Sequence, residues 1–171
     1  MAGKKFEFLN SDETITPVLK QILEYIKGAL PAKSNADETL FKAKIIITEL
    51  LTNALKHSHS KITIIDVKIT NKILTITKTN YSDRLALIAK TNTTRNKIAI
   101  TKDMLHTLYA KSTANDQVQF LYEEIDIVDT SSINDIIEHF GLLIITKAAD
   151  IFVYTYDHNV QSNTFVVTIE Y

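Results

Sequence analysis

Glu49, Asn53 and Lys56 stand four and then three residues apart in an otherwise largely apolar run, Ile45-Ile46-Ile47-Thr48-Glu49-Leu50-Leu51-Thr52-Asn53-Ala54-Leu55-Lys56-His57-Ser58. On an α-helix, positions i, i+4 and i+7 project from one side, so a carboxylate, a carboxamide and an ammonium would emerge together from a core-packed element. Such a row suits a metal-bound phosphate. The Asn53 oxygen can enter the octahedral oxygen shell of Mg²⁺, which keeps waters and substrate phosphates as its other ligands. Glu49 can orient or deprotonate a water or hydroxyl. Lys56 offers a point charge to a phosphate oxygen, and His57 adds a titratable edge where the helix should end.

Each of these side chains also has a plainer reading. Glu49 and Lys56 taken singly fit the solvated rim of an amphipathic helix. Asn53 is harder to dismiss, because asparagine is a mediocre helix former and its place among Leu50, Leu51, Ala54 and Leu55 asks for a polar task. His57 and His59 need no task, since a helix C-terminus favours partial positive charge.

The elements that must hold this row can be read along the chain. Residues 5–9 alternate as a short strand, and 16–29 read as an amphipathic helix with Val18, Leu19, Ile22, Leu23 and Ile26 on its apolar side, stopped by Pro31. The stretch 32–37 is a polar loop whose Asp37 is placed to cap the long helix reaching Lys56 or His57. Runs 61–69 and 72–79 alternate polar and apolar as a hairpin. Residues 98–111 read as a helix with an apolar stripe of Ile100, Met104, Leu105 and Leu108. Glu123, Glu124, Asp126 and Asp129 cluster within and just beyond the mixed segment 117–128, more as a solvated acidic rim than as a cation site, because no glycine-bearing calcium loop accompanies them. Ser131 or Ser132 is placed to cap a helix from about 133, and strands are expected at 151–157 and 164–171 around a turn at 159–163.

The segment Glu49-Leu-Leu-Thr-Asn53-Ala-Leu-Lys56-His57-Ser58, followed by a strand hairpin, resembles the N-box of the GHKL superfamily of ATPases and kinases, nearest to the anti-sigma-factor serine kinases and the ATP-binding domains of histidine kinases. The resemblance implies Glu49 as general base or water-orienting residue, Asn53 as the Mg²⁺ ligand and Lys56 as the matching basic position. It places the adenine-reading turn at Asn80-Tyr81-Ser82, where the superfamily has Asp-x-Gly. It places the phosphate-receiving helix start at His139-Phe140-Gly141-Leu142, where the superfamily has Gly-x-Gly-Leu, and an ATP lid within 83–134. The likeness covers nearly the whole chain as one domain, 1–171, and implies a two-layer α+β sandwich: a mixed, mostly antiparallel sheet covered on one face by helices.

The departures from the pattern carry as much information as the match. Asn80 in place of aspartate turns a charge-assisted hydrogen bond into a neutral one, a loss on the order of 1 kcal/mol. Side chains at Ser82 and His139, where glycine would allow positive φ, cost roughly 1 kcal/mol each and crowd the phosphate approach. At about 1.4 kcal/mol per factor of ten, a micromolar site would weaken toward millimolar. The lid stretch 91–97 is polar and lacks glycine. Arg84 and Arg95 are the only arginines. The expectation is therefore a signalling or regulatory domain resembling the anti-sigma-factor kinases, acting on a regulator or sigma-factor-like protein partner, with an Mg-ATP site that is weak or lost. If active, it would transfer phosphoryl from ATP to a protein serine. The alternative is a non-catalytic interaction module or homodimer on the same scaffold.

Composition narrows the classes. A length of 171 residues with 45% hydrophobic content suits one domain with a real core, and a net charge of −1 gives no long-range pull toward nucleic acid or anionic membrane. No apolar run approaches the roughly 20 residues a membrane helix needs, and Met1-Ala-Gly-Lys-Lys-Phe-Glu lacks a signal-peptide core, so a cytoplasmic location is expected. With no cysteine, disulfides, thiol catalysis and thiolate metal sites are excluded.

Overall fold

Alternation of polar and apolar residues builds the frame of this protein. The computed structural model describes residues 2–32, 35–70, 72–86, 97–103, 105–114, 116–124 and 139–171. In chain order its elements are β1 (Ala2–Leu9), α1 (Asp12–Ala29), α2 (Ala36–His57), β2 (Ile62–Ile69), β3 (Ile73–Tyr81), β4 (Ile98–Lys102), β5 (His106–Ala114), β6 (Gln117–Glu124), α3 (Phe140–Ala148), β7 (Ile151–Asp157) and β8 (Ser162–Glu170). Along β2, β3, β7 and β8 every second residue is buried, the signature of a sheet packed on one face.

The eight strands form one sheet in the order β1-β2-β3-β8-β7-β6-β5-β4, and every neighbouring pair is antiparallel. This corrects the expected fold class. The molecule is an open, wholly antiparallel sheet with three described helices, not a mixed-sheet, helix-covered sandwich of the GHKL type. The main physical reason lies in residues 98–111, expected as a helix. Of these, 98–102 form β4 and 106–111 enter β5 instead, while Met104 lies outside the described residues, so material assigned to the helical layer enlarges the sheet. Asp103 makes the turn between these strands: its Oδ1 accepts from the N–H of Leu105 at 2.8 Å and of His106 at 2.6 Å. Leu105, assigned to the apolar stripe, is 58% exposed.

Register stacks the core in rows. Val67, Ile76, Val167, Phe152 and Phe120 stand opposite one another across five strands, with the rings of Phe120 and Phe152 4.6 Å apart. Onto these rows α1 brings Val18, Ile22 and Ile26, α2 brings Ile46, Ile47, Leu50, Leu51 and Ala54, and α3 brings Leu142, Leu143 and Ile145. Fully burying one such aliphatic side chain stabilises by roughly 1.5–3 kcal/mol, and truncating Ile47 to alanine would cost roughly 2–5 kcal/mol. α2 is held against this core, which fixes the direction of its polar row.

The remaining boundaries differ from the sequence reading for local reasons. α1 starts at Asp12, four residues before the expected Thr16, with Pro17 accommodated inside it and acidic Asp12 and Glu13 in its first turn. α2 is capped by Asn35, not Asp37; the Asn35 carbonyl accepts from Thr39 N at 3.0 Å and Thr39 Oγ1 at 2.9 Å. Glu123 pairs with Lys97. Asp126, Asp129, Ser131, Ser132, the helix from 133, and Arg95 with residues 91–96 of the lid stretch lie outside the described residues. No described helix is long and apolar enough to cross a membrane.

Candidate functional site

The nine residues singled out by sequence meet in one place. Glu49, Asn53, Lys56 and His57 on α2, Asn80 and Ser82 around the end of β3, and His139, Gly141 and Leu142 at the start of α3 all line a cleft of about 680 Å³. α2 supplies the row by helical periodicity: Glu49 and Asn53 are half-buried, and Lys56 and His57 are exposed at its C-terminal end.

The α3 side of the cleft is built by close approach. A β-carbon added to Gly141 would lie 2.6 Å from Glu49 Oε2 and 3.6 Å from Asn53 Nδ2, so the missing side chain is what lets the helix start abut the α2 carboxylate. His139, the N-cap of α3, takes a left-handed conformation at φ 71, ψ 10, and its carbonyl accepts from Leu142 N at 3.0 Å. The expectation that position 139 needs positive φ holds, and a histidine meets it at a strain on the order of 1 kcal/mol. The first-turn amides of α3, including those of Phe140 and Gly141, have no carbonyl one turn back and point out of the helix start.

The β3 side is more polar than its position in the sheet suggests. Asn80 is 3% exposed; its Nδ2 donates to Ser82 Oγ at 3.1 Å, while its Oδ1 is buried with no hydrogen-bond partner among the described residues. A buried acceptor left unmatched costs about 1–3 kcal/mol, and a ligand donor would recover that. Ser82 is not a bare obstruction. Asn163, opposite Asn80 in register, donates from Nδ2 to Ser82 Oγ at 2.7 Å and Ser82 O at 2.9 Å, and its Oδ1 accepts from the Tyr154 hydroxyl at 2.6 Å. Tyr154 Oη in turn accepts from Leu85 N at 3.2 Å, and burial pushes its pKa up to about 12.

Two further cations belong to the cleft. Arg84 sits with Nη2 2.9 Å from Asp116 Oδ1, an ion pair whose angle does not make a hydrogen bond. Lys78 is 3% exposed, with Nζ 4.6 Å from the centroid of the Phe165 ring, its register partner. Burial pushes its pKa down to about 7. His57 is also held below its ordinary value, first by partial burial and then by the neighbouring charges of Lys78, Lys56 and His139.

Sequence reasoning missed Lys78, Asn163 and Tyr154. A signal for Lys78 existed, because it shares the inward phase of Leu74, Ile76 and Asn80 along β3. Asn163 and Tyr154 gave none, since their task arises from strands that meet only in the fold.

A nucleotide's phosphates and their Mg²⁺ can be tested against this donor set. Glu49 and Asn53 offer oxygens from one helix face to a cation that keeps most of its waters and phosphate ligands, and the orphaned Asn80 oxygen matches an amino-group donor. Among the described residues no three or more His, Asp or Glu form a metal-holding group, so the protein offers such an ion a partial shell. Compared with known proteins, the chain matches no family model and no curated protein.

Proposed function

We propose that the cleft is a nucleotide-phosphate pocket in a cytoplasmic signalling domain related in its motif, not in its sheet, to the anti-sigma-factor serine kinases. The observation that supports this reading is convergence: three segments far apart in sequence bring every motif residue to one cleft, where Asn80 keeps an unmatched acceptor. In this reading Asn53 would hold Mg²⁺. Bound there, the ion would neutralise charge on the transferring phosphoryl group. Lys56 and the α3 amides hold phosphate oxygens. Asn80 accepts from the base, and Glu49 positions the hydroxyl of a serine on a protein partner.

A second reading is a non-catalytic interaction module acting on a protein partner or a second copy. Side chains at Ser82 and His139 stand where the motif calls for glycine, and Ser82 is tied into the Asn163 network, which narrows the cleft without emptying it of polar groups. The deciding experiment is thermal unfolding with ATP and ADP, with and without Mg²⁺, on the wild type and Asn53→Ala. Ligand at about a hundred times its dissociation constant adds roughly 2.7 kcal/mol, or about 5–10 °C at this size. A Mg²⁺-dependent rise lost in the variant supports the nucleotide pocket; no shift at millimolar nucleotide under any condition rejects it in favour of the interaction module.

A further inference from the structure

We propose that the cleft is an oxyanion site with a built-in cation: Lys78, with Lys56, His57 and His139 around it, receives a phosphate-class anion without requiring a divalent metal. The proposal deepens the nucleotide-phosphate reading and rests on it.

The argument begins with burial. Lys78 is 3% exposed, yet among the described residues no carboxylate and no hydrogen-bond acceptor engages its ammonium; its one close polar interaction is with the face of the Phe165 ring. A buried charge without a partner is among the costliest features a fold can keep, and an aromatic face offsets only a small part of that cost. Lys78 also lines the cleft, so a ligand can reach it.

The surroundings point to the sign of that ligand. His57 feels Lys78, Lys56 and His139 as neighbouring like charges, so four basic groups from α2, β3 and the start of α3 converge on one volume. Two carboxylates share the volume, Glu49 beside Gly141 and the exposed Asp83, which has one oxygen 3.9 Å from His59 Nδ1, and the four basic groups outnumber them; a further cation of the cleft, Arg84, is paired with Asp116. The start of α3 lines the same volume, and a helix N-terminus carries partial positive charge. An anion with several oxygens, such as a diphosphate, would give Lys78 charge-assisted hydrogen bonds in a desolvated setting, where these are strongest.

The alternative is that Lys78 is a neutral amine filling space. In that case Lys78→Met, of similar length and apolar, would leave anion binding untouched. The test is calorimetric and thermal-unfolding titration of the metal-stripped chain with inorganic pyrophosphate and with ATP, each in EDTA and in Mg²⁺, on the wild type, Lys78→Met and the exposed-site control Lys44→Met. Binding in EDTA that falls at least tenfold in Lys78→Met and is retained in Lys44→Met is the expected result. Anion binding in EDTA that Lys78→Met leaves unchanged would assign it to surface lysines and overturn the proposal. Nucleotide binding that appears only with Mg²⁺ would overturn it while leaving the nucleotide pocket standing, and this arm needs the wild type alone. No response to either anion in any condition would sink both.

Discussion

Lys78 couples the stability of this protein to pH in an unusual direction. Its amine titrates near 10.5 in the unfolded chain and about 7 in the fold, because burial penalises the charged form. Between those values the unfolded chain binds a proton that the folded chain lacks, so this group makes stability rise as pH climbs from 7 toward 10.5. At roughly 1.4 kcal/mol per pH unit, the buried amine costs a few kcal/mol at neutral pH. Lys78→Met is therefore expected to unfold at higher temperature or denaturant than the wild type at pH 7, with the gap closing toward pH 10. Equal stability of the two at pH 7 would contradict the burial of Lys78. Gly141→Ala probes the other wall. Alanine favours the helix by about 1 kcal/mol over glycine, so the fold should hold, while displacement of the Glu49 carboxylate should abolish any nucleotide-induced rise in unfolding temperature. Both positions illustrate what sequence discloses at this scale: Gly141 was legible as half of a glycine turn, whereas Lys78 was hidden in a strand whose alternation drew attention to its apolar members.

The β4–β5 hairpin is the element that sequence misread, and its turn can be tested. Burial alone would raise the Asp103 pKa, but hydrogen bonds from the Leu105 and His106 backbones, the His106 ring and the nearby Lys147 charge outweigh it and hold the carboxyl below its ordinary range. The stabilisation is present above the usual carboxylate pKa and is lost as pH falls through the lower folded value. Asp103→Ala should cost roughly 1–3 kcal/mol at pH 7, measured by denaturant unfolding, and less as pH falls below the ordinary carboxylate range. The hairpin was illegible because its apolar residues mimic helical spacing. Ile100 and Leu108 fall on a 3.6-residue stripe, and the register shift between Ala99 and Thr101 breaks the period of two that would have marked a strand. By contrast α2 and the β2–β3 hairpin were legible, since long helical periodicity and uninterrupted alternation leave little room for another reading. The Asn163–Tyr154 network was not, because the hydrogen bonds of Asn163 to Ser82 span 81 residues.

At the scale of the whole molecule, one continuous sheet joins residues far apart in sequence. β3 pairs with β8, and β1 with β2 across both long helices. Contacts of this kind make folding slow, in the range of roughly milliseconds to seconds, and unfolding concerted. Tyr154 is fully buried on β7, so near-ultraviolet dichroism from its ring should be lost over the same denaturant range as the strand signal in the far ultraviolet. Separate midpoints would mean that the β4–β6 half melts independently. The open sheet has a final consequence, for colloidal behaviour. Among the described residues its outermost strands, β1 and β4, have no strand beside their outer rows of backbone amides and carbonyls, and such a row is a template on which other chains can polymerise. Adjacent exposed lysines at Lys4 and Lys5, and Lys102 on the far strand, set repelling charge along both rows. Replacing Lys4 and Lys5 by threonine should leave the monomer folded but shorten the lag before light scattering rises at concentrations where the wild type stays clear.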